Sequence, residues 1–121
     1  MNLILNIRNV DGVSVIDLSG RLILGEESIA LRLALKDLLA KDEKKILLNL
    51  AAVGYIDSSG LGALVSGLAS AASANAQLKL LNLDRRVHDV IRTTHLHLVF
   101  EVFDDEAKAI RSFASHAGAA G

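Results

Sequence analysis

Between an apolar strand pattern and an amphipathic helix pattern lies the polar stretch Ile56-Asp57-Ser58-Ser59-Gly60-Leu61-Gly62. Its position predicts a junction at which a strand ends and a helix begins. The first turn of a helix has unpaired backbone N–H groups and the positive end of the helix dipole, so it tolerates a phosphate well. The stretch therefore places serine hydroxyls where an added negative charge would be stabilised.

The segments before this stretch predict a hairpin, a helix and a buried strand. Two alternating apolar patterns flank Asp11-Gly12, a dipeptide that accepts positive φ at low cost and so favours a tight hairpin. Apolar residues at helical spacing over 26–41 predict an amphipathic helix. The run Ile46-Leu47-Leu48-Asn49-Leu50 is typical of a strand covered on both faces.

The segments after the stretch continue the alternation of helices and strands. We predict a helix with its apolar stripe from Leu61 to Ala72, a strand over 76–81 and a helix that Asp84 caps. A short strand around 100–103 and a helix from Asp104 to about Phe113 follow. The expected fold is an α/β sandwich: a mixed β-sheet with an N-terminal hairpin and about four packed helices.

The length of 121 residues suits a single domain, which we expect over residues 1–115, with a frayed tail over 116–121. Hydrophobic residues make up 51% of the chain and only 3% are aromatic, so the core should be aliphatic. No secretory segment or membrane span is recognised, and the expected location is the cytoplasm.

The charge balance and the missing cysteines exclude several classes of function. Thirteen Lys or Arg against fourteen Asp or Glu give a net charge of −1, which argues against direct binding to nucleic acid or to an anionic membrane. With no cysteine, thiolate catalysis, disulfides and cysteine-based metal sites are excluded.

Three catalytic or nucleotide-binding interpretations of the stretch fail on spacing. A dinucleotide fingerprint needs glycine at position 65, which is valine. A nucleophile elbow needs glycine on both sides of the serine at a distance of two, and neither Ser58 nor Ser59 has this arrangement. A P-loop needs Gly-Lys before Ser or Thr, and no lysine occurs from Ile46 through Ala76.

Two interpretations of the serine pair remain open on physical grounds. Asp57, Ser58 or Ser59 could simply cap the helix, while Gly60 and Gly62 permit close packing of the helix on the sheet. A functional role is favoured because three capping-competent residues occur in succession, whereas a helix needs only one N-cap.

The stretch from Tyr55 to Leu64 resembles the signature of the STAS family, the anti-sigma factor antagonists. The segment Val15-Ile16-Asp17-Leu18-Ser19-Gly20-Arg21-Leu22 is similar to the second strand of that family and its Ser-Gly-x-Leu turn. The order of elements fits from about Leu3 to Phe113. The resemblance implies a non-enzymatic binding protein without a cofactor.

The resemblance also implies a phosphorylation switch at Ser58, the serine directly after the motif aspartate. In that family an anti-sigma factor with serine kinase activity phosphorylates this serine, which weakens its complex with the antagonist, and a serine phosphatase restores the unmodified form. Asp57 would orient the loop by accepting backbone N–H bonds. Ser59 could cap the helix, bind the phosphate or act as a second acceptor. Gly60, Leu61 and Gly62 would support the phosphosite and the approach of the partner.

One departure from the family pattern leaves the partner open. After the Ser-Gly-x-Leu turn, many members carry an acidic residue, whereas this chain has Ile23-Leu24-Gly25. We expect these loop residues to pack onto the sheet, although an exposed apolar pair would enlarge a docking surface. A stressosome-type component and a STAS subunit of a membrane lipid transport complex are the alternatives.

The four histidines do not make a metal site in the sequence. His95 and His97 would point to one side of an extended segment, but two ligands do not close a zinc site. We therefore predict no metal.

Overall fold

The computed structural model describes residues 3–120, with side chains described through Phe113. Five strands and four α-helices alternate along the chain after an initial hairpin. Their bounds are β1 (Ile4–Val10), β2 (Val13–Leu22), α1 (Glu26–Ala40), β3 (Lys45–Ile56), α2 (Ser58–Ser73), β4 (Gln77–Leu81), α3 (Arg85–Thr93), β5 (Val102–Phe103) and α4 (Glu106–Ala120).

The five strands form one mixed sheet in the order β1-β2-β3-β4-β5. Only β1 and β2 pair antiparallel, and the other neighbours are parallel. Asp11 and Gly12 join the antiparallel pair with φ angles of 51° and 83°. This left-handed pair matches the twist of a two-residue hairpin, so the predicted hairpin and the predicted α/β fold are confirmed.

Two apolar layers cover the two faces of the sheet. The central strand β3 contributes Ile46, Leu48 and Leu50 to one layer and Leu47 to the other, as expected when side chains alternate along a strand. Helices α1, α2 and α3 pack on the first layer, and α4 packs on the second through Phe113 and its neighbours. The strand predicted to be covered on both faces is indeed buried on both.

Two predicted ends differ from the structure. The strand predicted over 46–50 continues to Ile56, because it pairs along the full length of β2 as far as Leu22, through two register irregularities. Helix α4 continues beyond Phe113, where an Ala-rich segment without proline favours helix. The predicted frayed tail lies beyond the described side chains and includes the undescribed Gly121, so it stays a prediction.

Candidate functional site

The polar stretch forms the junction between β3 and α2. Asp57 is the N-cap of α2, and its Oδ1 accepts a hydrogen bond from the backbone N–H of Gly60 at 2.9 Å. Ser58 is the first residue of the helix, and its side chain is exposed, while Ser59 is partly buried. The cap is therefore supplied by the aspartate, and the hydroxyl of Ser58 points to the surface at the positive end of the helix dipole.

Asp57 also anchors the loop between β2 and α1. Its second oxygen, Oδ2, accepts a hydrogen bond from the backbone N–H of Leu24 at 3.0 Å, and its own N–H donates to the carbonyl of Leu22 at 3.2 Å. The hydrogen bonds from Gly60 and Leu24 lower the pKa of the Asp57 carboxyl below its ordinary value. The carboxylate thus stays ionised and fixes the loop beside Ser58, in agreement with its predicted acceptance of backbone N–H bonds.

Gly60 permits a very close approach between α2 and the end of β2. The residue is buried, and a Cβ atom added to it would overlap the carbonyl oxygen of Leu22 and lie 2.8 Å from Cγ1 of Ile56. Backbone on one side and a buried side chain on the other leave no room for that atom. Close packing of the helix on the sheet is therefore the role that the geometry supports for this glycine.

Gly62 and Leu61 occupy different environments in the same turn. Leu61 packs against the main core and is partly buried. A Cβ atom on Gly62 would make only an ordinary contact, 3.5 Å from Nη2 of Arg32 on α1. The guanidinium of Arg32 therefore lies over α2 one helical turn after Ser58, a neighbour that the sequence pattern did not reveal.

Two exposed apolar side chains lie near Asp57, one just before it in the chain and one in the loop between β2 and α1 to which it is hydrogen-bonded. Tyr55, two residues before Asp57, is 48% exposed, and Leu24 is 74% exposed. The expectation that the Ile23-Leu24-Gly25 loop packs onto the sheet is wrong for Leu24, because its backbone is fixed by Asp57 with the side chain in solvent. Leu24 and Tyr55 thus add exposed apolar surface on both sides of Asp57.

The histidines do not form the extended pair that the sequence suggested. His95 has a left-handed backbone with φ of 62°, and Leu96–Leu98 form a short 3₁₀-helix, so the segment is not a strand. The two rings nevertheless lie near each other, with centroids 6.1 Å apart. Among the residues that the structure describes, no group of three or more metal-ligating side chains comes together.

None of the described helices is long and apolar enough to cross a membrane. A cavity of about 580 Å³ lies between α3 and β5. None of the residues lining it belongs to α1 or α2. Neither Ser58 nor Leu24 lines this cavity, and both are exposed at the surface.

Solved structures of known proteins share this fold. The chain is similar to a candidate anti-sigma factor antagonist from Thermotoga maritima, with 27% identity, a TM-score of 0.83 and coverage of 89% of this chain and 92% of that one. An anti-sigma factor antagonist from Mycobacterium paratuberculosis matches with 21% identity, a TM-score of 0.78 and coverage of 91% and 92%. A sulfate transporter family protein from Wolinella succinogenes shares the fold at 21% identity, with a TM-score of 0.68 and 85% of each chain covered.

The family model that matches the chain is the STAS domain, over residues 5–109. This match spans the sheet, the first three helices and the start of α4. The chain therefore belongs to the STAS domain family.

Proposed function

We propose that this protein is an anti-sigma factor antagonist whose binding is switched by phosphorylation of Ser58. The observation that carries the proposal is the exposed hydroxyl of Ser58 at the first position of α2, with the capping role already filled by Asp57. Its likeness to the Thermotoga protein, described as a candidate antagonist, supports the same assignment. The unmodified protein binds an anti-sigma factor and thereby frees the sigma factor, with no enzymatic activity of its own.

The switch acts through charge at a contact surface. A phosphate on Ser58 adds about −1.5 to −2 charge, which the free N–H groups of the first turn can stabilise. In a docked complex the same charge would lie against the partner, and an uncompensated buried charge costs about 3–5 kcal/mol, or roughly two to three decades or more in affinity. The modified protein can therefore keep its fold and lose its partner.

The proposed cycle needs two further proteins. The anti-sigma factor acts as the serine kinase and uses ATP, and a serine phosphatase removes the phosphate. Both would act in the cytoplasm, where a sigma factor meets RNA polymerase.

Ser59 lies next in the helix and is partly buried, so we assign the acceptor role to Ser58 and not to Ser59.

Incubation with ATP and the kinase-type anti-sigma factor encoded nearest to this chain tests the acceptor assignment. We expect intact-mass analysis to show one added phosphate and peptide mapping to place it on Ser58. The Ser59→Ala variant should be modified like the wild-type protein, and Ser58→Ala should not be modified. Equal modification of Ser58→Ala and wild-type protein would remove the basis of the proposal.

The transport-complex alternative gives a different result in a second experiment. A subunit of a membrane complex should co-purify with that complex, and its retention should not respond to Ser58→Asp. An antagonist should lose its anti-sigma factor in the same variant, because the added carboxylate occupies the contact surface.

A further inference from the structure

A cationic groove runs between α1 and α2, and its first lining residue on α2, Ser66, lies about two helical turns after Ser58. Its walls carry Arg32 and Lys36 from α1 and the hydroxyls of Ser66 and Ser70 from α2, and its floor is formed by Leu35, Leu39 and Gly67. The groove has a volume of about 280 Å³. This space suits one or two side chains of another protein and is too small for a folded element.

The shape of the groove depends on close contact between the two helices at its floor. A Cβ atom on Gly67 would lie 2.5 Å from Cδ1 of Leu35, so the glycine lets α1 and α2 approach at this point. The buried leucine closes the bottom of the groove with apolar surface. A ligand side chain would therefore place its methylene groups on this floor and its polar end on the walls.

The charge of the walls has a single sign. Arg32 and Lys36 lie four residues apart on α1, so they point to the same side of the helix, and no acidic residue lines the groove. Within residues 3–113, no ion pair is described for either cation. Lys41, near the end of the same helix, is by contrast paired with Asp37 at 3.0 Å. A pair of cations without internal partners on a chain of net charge −1 is complementary to an acidic segment.

We propose that this groove docks an acidic segment of a partner protein, with Arg32 and Lys36 pairing with two carboxylates one helical turn apart. The inference rests on the proposed function only in naming the anti-sigma factor as that partner. The groove also offers a way in which a phosphate on Ser58 could weaken partner binding. The Cβ atoms of Ser58 and the residue at position 62 are about 6 Å apart in a helix, and Arg32 reaches over Gly62. A phosphate on Ser58 would compete for Arg32 and repel the acidic segment.

A synthetic peptide tests the groove without the natural partner. The probe is an amphipathic helical peptide with two glutamates four residues apart beside two leucines, and its control carries glutamines in their place. We expect backbone amide shifts in NMR spectra to map the glutamate peptide to α1 and α2, and the glutamine peptide to bind about three- to tenfold more weakly. Shifts confined to the basic helix α3, or equal binding of both peptides, would overturn the proposal.

Substitutions of the two groove cations, compared with a substitution of Lys41 outside the groove, test the role of the charges. Removing both charges in the Arg32→Gln, Lys36→Gln double variant should weaken binding of the glutamate peptide about tenfold or more, and Lys41→Gln should leave it unchanged. All three residues are exposed on or near one helix, so all variants should fold. Equal binding by the double variant and the wild-type protein would show that the groove does not recognise acidic side chains.

The Arg32→Gln, Lys36→Gln double variant also distinguishes a failure of the groove proposal from a failure of the proposed phosphorylation switch. If the anti-sigma factor phosphorylates Ser58 and binds the double variant as tightly as wild type, the groove proposal fails and the switch stands. If the glutamate peptide binds in the groove but no kinase modifies Ser58, the groove stands and the switch fails.

Discussion

At the scale of single residues, the junction after β3 separates a structural carboxylate from an exposed hydroxyl. Asp57 uses both oxygens on backbone N–H groups, one in α2 and one in the preceding loop. Ser58 is therefore not needed to cap the helix. The sequence predicted that Asp57 could cap α2. Its contact with Leu24 could not be predicted, because the two residues are 33 positions apart in the chain and the local pattern does not indicate that they meet.

Replacing Asp57 with Asn tests its double contact. Asparagine caps a helix as well as aspartate, but it has one side-chain oxygen in place of the two that accept hydrogen bonds from the N–H groups of Gly60 and Leu24. We expect the thermal unfolding midpoint to fall by a few degrees at pH 7. Because folding lowers the pKa of Asp57, its stabilisation is present at neutral pH and is lost as the pH falls through that lowered pKa. The difference between the two proteins should therefore vanish in acid.

Asp84→Asn is the control for that measurement. Asp84 caps α3 through a single described contact to the backbone N–H of Arg86, at 2.8 Å. Its replacement should change the midpoint much less than Asp57→Asn does. Equal losses in the two variants would mean that the contact to Leu24 adds nothing to the cap.

Gly60 and Gly62 form a matched pair for alanine substitution. Gly60→Ala places a methyl group against the carbonyl of Leu22, so we expect a loss of about 1–3 kcal/mol in the free energy of unfolding. Gly62→Ala meets only Arg32 at an ordinary distance, and its higher helix propensity should add up to about 1 kcal/mol. Urea denaturation measures both, and a gain in stability for Gly60→Ala would refute the close packing described here.

At the scale of elements, the periodicity of the sequence predicted the order and type of the helices and strands. The Asp11-Gly12 turn, the cap at Asp84 and the buried strand around Leu48 are confirmed, because each depends on neighbours in the chain. The full length of β3 could not be predicted, since its second half has no clear strand pattern and is held by the pairing of Ala52, Val53 and Tyr55 with β2. Ala51 and Gly54 lie at the two register shifts of this pairing. Tertiary pairing therefore decides where local propensity is weak.

The attachment of α4 is a second feature that local pattern could not supply. Lys79 on β4 is 2% exposed, donates to Oγ of Ser112 at 2.9 Å and lies 4.6 Å from the ring centre of Phe113. Arg8 on β1 meets Glu106 at the start of α4 and Asp17 on β2. Both cations join segments distant in sequence, so α4 is fixed to the sheet by charge as well as by apolar contact.

Replacing Arg8 with Gln tests this ionic attachment. The guanidinium of Arg8 donates hydrogen bonds to Glu106 and Asp17, and these bonds raise the pKa of Arg8 and lower the pKa of each carboxyl. Because the three side chains are about one-third exposed, we expect a loss of only about 1 kcal/mol in the free energy of unfolding at pH 7. The loss should shrink as the pH falls from the ordinary carboxyl range towards the lowered pKa values of Asp17 and Glu106, because the wild-type carboxylates then become protonated.

The control is Arg111→Gln, which removes the same charge from an exposed position on α4. Its effect should stay within about 0.5 kcal/mol at either pH. A loss for Arg8→Gln that is the same at pH 7 and pH 3 would contradict the ionic attachment.

At the scale of the whole molecule, the proposed functional features lie on only one of the two faces of the sheet. Helices α1, α2 and α3 cover one face, and the proposed phosphosite and the cationic groove belong to the first two of these helices. Helix α4 covers the other face and takes part in neither. In the proposed switch, the sheet and its helices are the support on which a charge at Ser58 acts on a partner.

Phosphorylation should leave this support intact. Ser58 is exposed, and its phosphate would lie at the favourable end of the helix dipole, which contributes about 0.3–1 kcal/mol at such sites and is offset in part by the charge of Asp57. We expect the unfolding midpoint of protein carrying phosphoserine at position 58 to stay within a few degrees of that of the unmodified protein. A large fall, with loss of helical circular dichroism, would indicate a switch by unfolding instead.

The central claim is tested most directly by the affinity for the anti-sigma factor before and after phosphorylation of Ser58, measured by isothermal titration calorimetry. We expect the affinity to fall by roughly two decades or more on phosphorylation, and unmodified Ser59→Ala to bind like the wild-type protein. An affinity that is the same for both forms of the protein would contradict it.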